Sequence, residues 1–161
     1  MGLFDFMKGK KGIVLAAPVK GECIPISEVA DPTFAEEILG KGIAIKPADG
    51  KVYAPVDGVI STVFPTGHAI GITTSDGVEL LIHVGLDTVQ LKGQHFNVIA
   101  KADQQVKTGD LLLEADVEEI SRAGYDTVTP MIICNSDAFA KIECKTEGMV
   151  NAGDEVITCT K

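Results

Sequence analysis

The chain has 161 residues, 45% of them hydrophobic, which is enough to bury one compact core without help from disulfides or metals. Its formal net charge of −9 excludes a nucleic-acid partner, because the phosphate backbone demands a basic face. Four scattered cysteines (Cys23, Cys134, Cys144, Cys159) form no CxxC pair, and no signal peptide or long apolar span accompanies them, so they read as reduced structural thiols of a cytosolic protein.

Residues 1–12, MGLFDFMKGKKG, read as a tail distinct from the domain expected over 13–161. They suit a frayed terminus or, with Leu3, Phe4, Phe6 and Met7 ahead of Lys8, Lys10 and Lys11, a short amphipathic anchor touching an anionic membrane surface weakly. From Ile13 onward short Val-, Ile- and Thr-rich runs such as GIVLAAPV, KVYAPV, GVISTVF, AIGITT, VELLIHV and TPMIIC are bounded by Gly, Pro or Asp, which predicts strands. Two short helices are expected. Asp31 as N-cap, Pro32 in the first turn and Gly40 as the stop frame one over Asp31 to Leu39; Asp116 to Ala123, closed by Gly124, frames the other. APVKG at Ala17 recurs as APVDG at Ala54, and VKTGD at Val106 recurs as VNAGD at Val150. These echoes predict an all-β fold, an antiparallel sandwich or flattened barrel of duplicated strand motifs.

The segment from Phe64 to Gly93 carries two of the three histidines. Asp76-Gly77 between two apolar runs is a hairpin signal. A turn on those two residues makes His68 and His83 diagonal neighbours on one face; a turn on Ser75-Asp76 sets them directly opposite; only a slip by one residue separates them. On that count Ile70, Ile72 and Leu81 share the histidine face and give it an apolar surface for a partner. An unprotonated imidazole is a nucleophile when its other nitrogen is held by an acceptor, for which the carbonyl of Gly85 is well placed. The second imidazole, next to Thr66, can then donate to a transferred phosphoryl group.

These residues, together with FAEEILGKGIAIKP at Phe34 and VKTGDLLLEAD at Val106, closely resemble the glucose-family enzyme IIA of the phosphoenolpyruvate-dependent sugar phosphotransferase system over about Ile13 to Lys161. The resemblance implies a β-sandwich phosphoryl carrier of the cytoplasm. His83 of the LLIHVG motif would accept the phosphoryl group on Nε2 from phosphorylated HPr, and a cysteine of a sugar-specific enzyme IIB would take it. His68 is implied as a hydrogen-bonding partner of the phosphate, Thr66 as the residue orienting its ring, Phe34 and Phe64 as apolar docking positions, and Asp31 and Asp87 as acidic rim positions. Regulatory binding to transporters or kinases is a further expectation. Gln90 stands where an acidic residue is familiar, and Pro32-Thr33 where small apolar residues are.

No resident cofactor is expected. The alternative, a zinc hydrolase of related β-fold, needs an HxH element with a further His and Asp; two histidines make an incomplete zinc site, although zinc could bridge His68 and His83 to a partner's carboxylate. A biotinyl or lipoyl carrier would show a Met-Lys-Met or Asp-Lys-Ala triplet, and neither is present.

Overall fold

The computed structural model describes residues 12–161. The expected tail therefore lies outside the described residues, except for Gly12. Fourteen strands follow in the order β1 (Ile13–Ala16), β2 (Gly21–Pro25), β3 (Lys41–Pro47), β4 (Lys51–Tyr53), β5 (Gly58–Val63), β6 (Ala69–Thr73), β7 (Glu79–His83), β8 (Phe96–Val98), β9 (Gln105–Val106), β10 (Leu111–Ala115), β11 (Thr129–Ile133), β12 (Lys141–Cys144), β13 (Met149–Val150) and β14 (Glu155–Thr160). Every pairing is antiparallel. One sheet has eight strands, ordered β13-β2-β3-β11-β7-β6-β5-β9, and two have three, ordered β1-β14-β12 and β4-β10-β8. The fold is the all-β sandwich that the sequence predicts.

The repeated sequence segments are repeated structures. Ala17 donates to the Asp154 carbonyl and accepts from Gly153, just as Ala54 donates to the Asp110 carbonyl and accepts from Gly109. The two APV segments also pair with each other, Ala16 donating to Pro55 and Tyr53 to Pro18, both at 2.8 Å. At the ends of the large sheet Val150 lies opposite Gly21 and Val106 opposite Gly58. A pseudo-twofold axis thus runs through the central β7–β11 pair, where Met131 faces Ile82.

The main core is aliphatic and includes Leu15, Ile43, Ile45, Ile60, Ile70, Ile72, Ile82, Leu112 and Met131. A second apolar cluster gathers Ile24, Ile26, Val29, Phe34, Ala44, Leu86, Val128 and Ile132, with Leu81 packed against it. Strand alternation explains the division: Leu80 and Ile82 enter the main core, and Leu81 and His83 project to the other face.

Two local expectations are corrected. The helix over Asp31 to Leu39 is only α1 (Pro32–Ala35). Its start is as read, with Asp31 accepting from the Thr33 amide, but Glu37 already adopts a left-handed φ of 59° and turns the chain toward β3. The later helix, α2 (Val117–Arg122), has the expected limits, with Asp116 capping the Glu119 amide.

The β6–β7 hairpin closes through a three-residue loop. The Thr74 amide donates to Val78, the Gly77 amide to the Thr74 carbonyl, and Gly77 takes φ 94°. Asn135 clasps the loop by accepting from the Glu79 amide and donating to the Gly77 carbonyl. Compared with either two-residue turn, the register moves by one: Ala69 faces His83 and Ile70 faces Ile82. That step changes which face each side chain occupies. Ile70 and Ile72, expected on the histidine face, are core residues with 0% exposure.

If the duplication is structural, matching groups should contribute alike. Asp110 accepts from the Lys107 amide and Asp154 from the Asn151 amide, each at 2.8 Å. Asp110→Ala and Asp154→Ala should each lower unfolding stability by about 1 kcal/mol, measured by urea titration. Clearly unequal losses would show that the two turns are not equivalent.

Candidate functional site

His83 is the last residue of β7, and the chain turns sharply after it. Its Nδ1 lies 2.8 Å from the carbonyl oxygen of Gly85. A carbonyl only accepts, so Nδ1 carries the proton in the neutral ring and Nε2 keeps its lone pair. Gly85 is required there: its φ is 80°, and a Cβ would stand 2.5 Å from Cγ2 of Thr88 and 2.9 Å from the Asp126 carbonyl oxygen.

The hairpin register would place His68 on the face opposite His83, yet the rings meet edge to face with centroids 4.8 Å apart. His68 precedes the first residue of β6 and leaves a turn at Gly67, whose φ is 73° and whose amide donates to the Phe64 carbonyl. The alternation of the strand does not yet govern it. Thr66 Oγ1 lies 2.6 Å from His68 Nδ1. When the hydroxyl donates, Nε2 of His68 carries the proton and becomes a hydrogen-bond donor. Neither Nε2 has a hydrogen-bond partner among the described residues.

Aromatic walls complete the pair. Phe34 stands 5.0 Å from the His83 ring and Phe64 stands 5.3 Å from the His68 ring, centroid to centroid. Phe34, expected as a docking residue, is only 4% exposed and belongs to the second cluster, so it lines the site from below. The exposed apolar surface on neighbouring segments comes from residues the sequence reading passed over: Ile38 and Leu39 after α1, and Val89 after Asp87.

Burial dominates the electrostatics. It pushes His68, 3% exposed, down to about 4, with the neighbouring His83 as a second cause. Burial also lowers His83, opposed by the Gly85 hydrogen bond and by the charges of Asp31 and Asp87. Both imidazoles are therefore held neutral near pH 7, as a nucleophile and an N–H donor require.

Asp31 reaches the site from the start of α1 and Asp87 from the left-handed residue after Leu86. His95 lines a separate groove with Lys51, Asn97 and Asp116. Among the described residues no group of three or more His, Cys, Asp or Glu side chains is arranged to hold a metal ion, and no helix is long and apolar enough to cross a membrane.

Comparison with known proteins agrees with this geometry. Residues 13–139 match the family model for the phosphoenolpyruvate-dependent sugar phosphotransferase system, EIIA 1. The chain belongs to this family. It is 44% identical over 153 residues to the "PTS system glucose-specific EIIA component" of Buchnera aphidicola, covering 95% of this chain and 94% of that protein. It is also 44% identical to a β-glucoside-specific EIIBCA component of Halalkalibacterium halodurans and 45% identical to a glucose-specific EIICBA component of Staphylococcus carnosus, each across 91% of this chain. The chain spans only 23% and 22% of those two longer proteins. Among solved structures, glucose permease IIA from Mycoplasma capricolum matches with a TM-score of 0.83 at 38% identity, covering 91% of this chain and 95% of that one. The EIIA family is a phosphotransferase component of sugar transport, and the zinc-hydrolase alternative finds no support.

The depressed histidine gives stability a pH dependence. A group near 6.5 when unfolded and about 4 when folded stabilises the native state fully above pH 6.5 and progressively less toward pH 4. His68 should thus account for about 3 kcal/mol lost across that window. Urea midpoints measured from pH 7 to 4 should fall less steeply in His68→Gln than in the wild type; parallel curves would mean that His68 titrates normally.

Proposed function

We propose that the chain is a phosphoryl carrier in which His83 is the sole phosphoacceptor. It would take the group from phosphorylated HPr and pass it to a cysteine of a sugar-specific enzyme IIB. The observation that carries this reading is the contact between His83 Nδ1 and the Gly85 carbonyl, which leaves Nε2 as the free lone pair. In the first step that lone pair attacks the donor's phosphorus, and the phosphorus–nitrogen bond to the donor breaks with its electrons returning to the donor's imidazole. In the second a thiolate attacks the phosphorus and the electrons of the Nε2–phosphorus bond return to His83.

His68 Nε2–H donates to the phosphoryl oxygens where charge builds, with Thr66 setting its tautomer. The relatives whose names join A to B and C components support an enzyme IIB acceptor. Phe64, Leu81 and the exposed Ile38, Leu39 and Val89 supply apolar docking surface, and Asp31 and Asp87 supply the acidic rim. An overall charge of −9 suits a basic donor protein. The reading places the chain in the cytoplasm and needs no resident cofactor. Zinc could join the two histidines only with a ligand from another protein, because they fall short of the three that a stable site takes.

Two outcomes check the assignment. His83→Ala should abolish acid-labile labelling from phosphoenolpyruvate, enzyme I and HPr; a variant that still takes one phosphate per chain overturns it. His68→Gln should leave labelling largely intact while slowing transfer to enzyme IIB by about a hundredfold, because a lost donor costs on the order of 3 kcal/mol in the transition state. Equal slowing of both half-reactions, measured separately, would instead mean that His68 shapes the site generally.

A further inference from the structure

The tautomer of His83 depends on the direction of one carbonyl, so whatever aims that carbonyl contributes to the chemistry. β7 ends at His83, but the chain stays pinned for three more residues. The Val84 amide donates to the His68 carbonyl at 2.7 Å, the Gly85 amide to Val128 at 2.9 Å and the Leu86 amide to Asp126 at 2.9 Å. The Val84 carbonyl has no amide partner in the ladder. It accepts from the Thr88 hydroxyl at 2.5 Å.

Thr88 is 0% exposed, so no water can replace that donor. The Val84 carbonyl and the Gly85 amide are two ends of one rigid peptide plane. Thr88 holds one end and Val128 holds the other. The Thr88 methyl adds a steric restraint, since its Cγ2 would lie 2.5 Å from a Cβ on Gly85. With no Cβ, Gly85 has the widest choice of φ and ψ, and here it is held from both sides.

We propose that Thr88 is a positioning residue for phosphoryl transfer: its hydroxyl locks the Val84–Gly85 peptide so that the Gly85 carbonyl keeps the His83 proton on Nδ1 and leaves Nε2 bare. Without the hydroxyl the Val84 carbonyl is a buried acceptor with no donor, and the peptide turns to find one. That rotation shifts the Gly85 Cα, and the Gly85–Leu86 peptide, left with the Leu86 amide on Asp126 as its one anchor, tilts its carbonyl away from His83; the released ring then places its proton on Nε2, where it blocks attack. The inference rests on the reading of His83 as the nucleophile.

Two substitutions in the full chain separate the parts of the side chain. Thr88→Val keeps the methyl and removes the hydroxyl; Thr88→Ser does the reverse. The tautomer is read from long-range proton–nitrogen NMR of the labelled imidazoles above pH 7.5, with no phosphoryl donor present. Thr88→Val should show His83 largely protonated on Nε2 and single-turnover labelling by phospho-HPr slowed on the order of tenfold, with HPr binding unchanged. Thr88→Ser should keep the wild-type tautomer and rate even where its melting temperature falls. An unchanged tautomer in Thr88→Val, or an equal shift in both variants, overturns the proposal. If Thr88→Val does not fold, the wild type decides: the Thr88 hydroxyl proton should be visible and slow to exchange, and a fast-exchanging one overturns the proposal. A wild-type chain that shows Nδ1–H yet takes no phosphate would sink the proposed function and leave this inference standing.

Discussion

The contact between His83 Nδ1 and the Gly85 carbonyl is the constraint on which the rest of the site depends. It spans only two residues, yet it requires that a strand end at His83, that the chain reverse at once, and that a residue without Cβ occupy the reversal. The large sheet supplies the first condition. β11 supplies part of the second, because the segment just before it accepts the amides of Gly85 and Leu86. The site is thus built from main-chain geometry that no single side chain could provide.

A second constraint is electrical. Two imidazoles with centroids 4.8 Å apart cannot both be protonated at low cost, and burial disfavours the charge on each. The carboxylates of Asp31 and Asp87 work in the opposite direction on His83. The balance leaves a neutral pair beneath an acidic rim. That combination suits a site that must receive a dianionic group without holding it tightly, since a fixed positive charge would trap it.

Features that depend on neighbouring residues were legible in the sequence, and features set by distant ones were not. The Asp31 cap, the Asp116 cap and the repeated Gly-Asp turns each satisfy backbone groups within a few residues, so their pattern is local. The meeting of the two histidines was also legible, but through the wrong register. Loop length was decided by the Thr74 hydroxyl and by Asn135, which reaches in from beyond β11, and no reading of Asp76-Gly77 alone contains that information. The same step moved Ile70 from the expected docking face into the core. His68 reached its partner because Gly67 releases it from strand alternation before β6 begins. Thr88 left no mark at all, since nothing in GLDTVQLKG tells a buried threonine from an exposed one.

The pseudo-twofold axis bears on how the molecule comes to be competent. Strands β5, β6, β7 and β9 form one half of the large sheet, and β2, β3, β11 and β13 form the other. Both histidines, Thr66, Phe64 and Gly85 belong to the first half, whereas Phe34 and Asp31 lie between β2 and β3 in the second. The site is thus a seam. During synthesis the histidine hairpin can form early from local contacts, but the strand that joins the halves, β11, arrives more than forty residues after His83. Until it docks, the Gly85 and Leu86 amides lack their acceptors and the Phe34 wall is unplaced. A half-made chain therefore has both imidazoles but not the pinned main chain that sets their geometry, so the site is completed only when the two halves of the sheet close on β11.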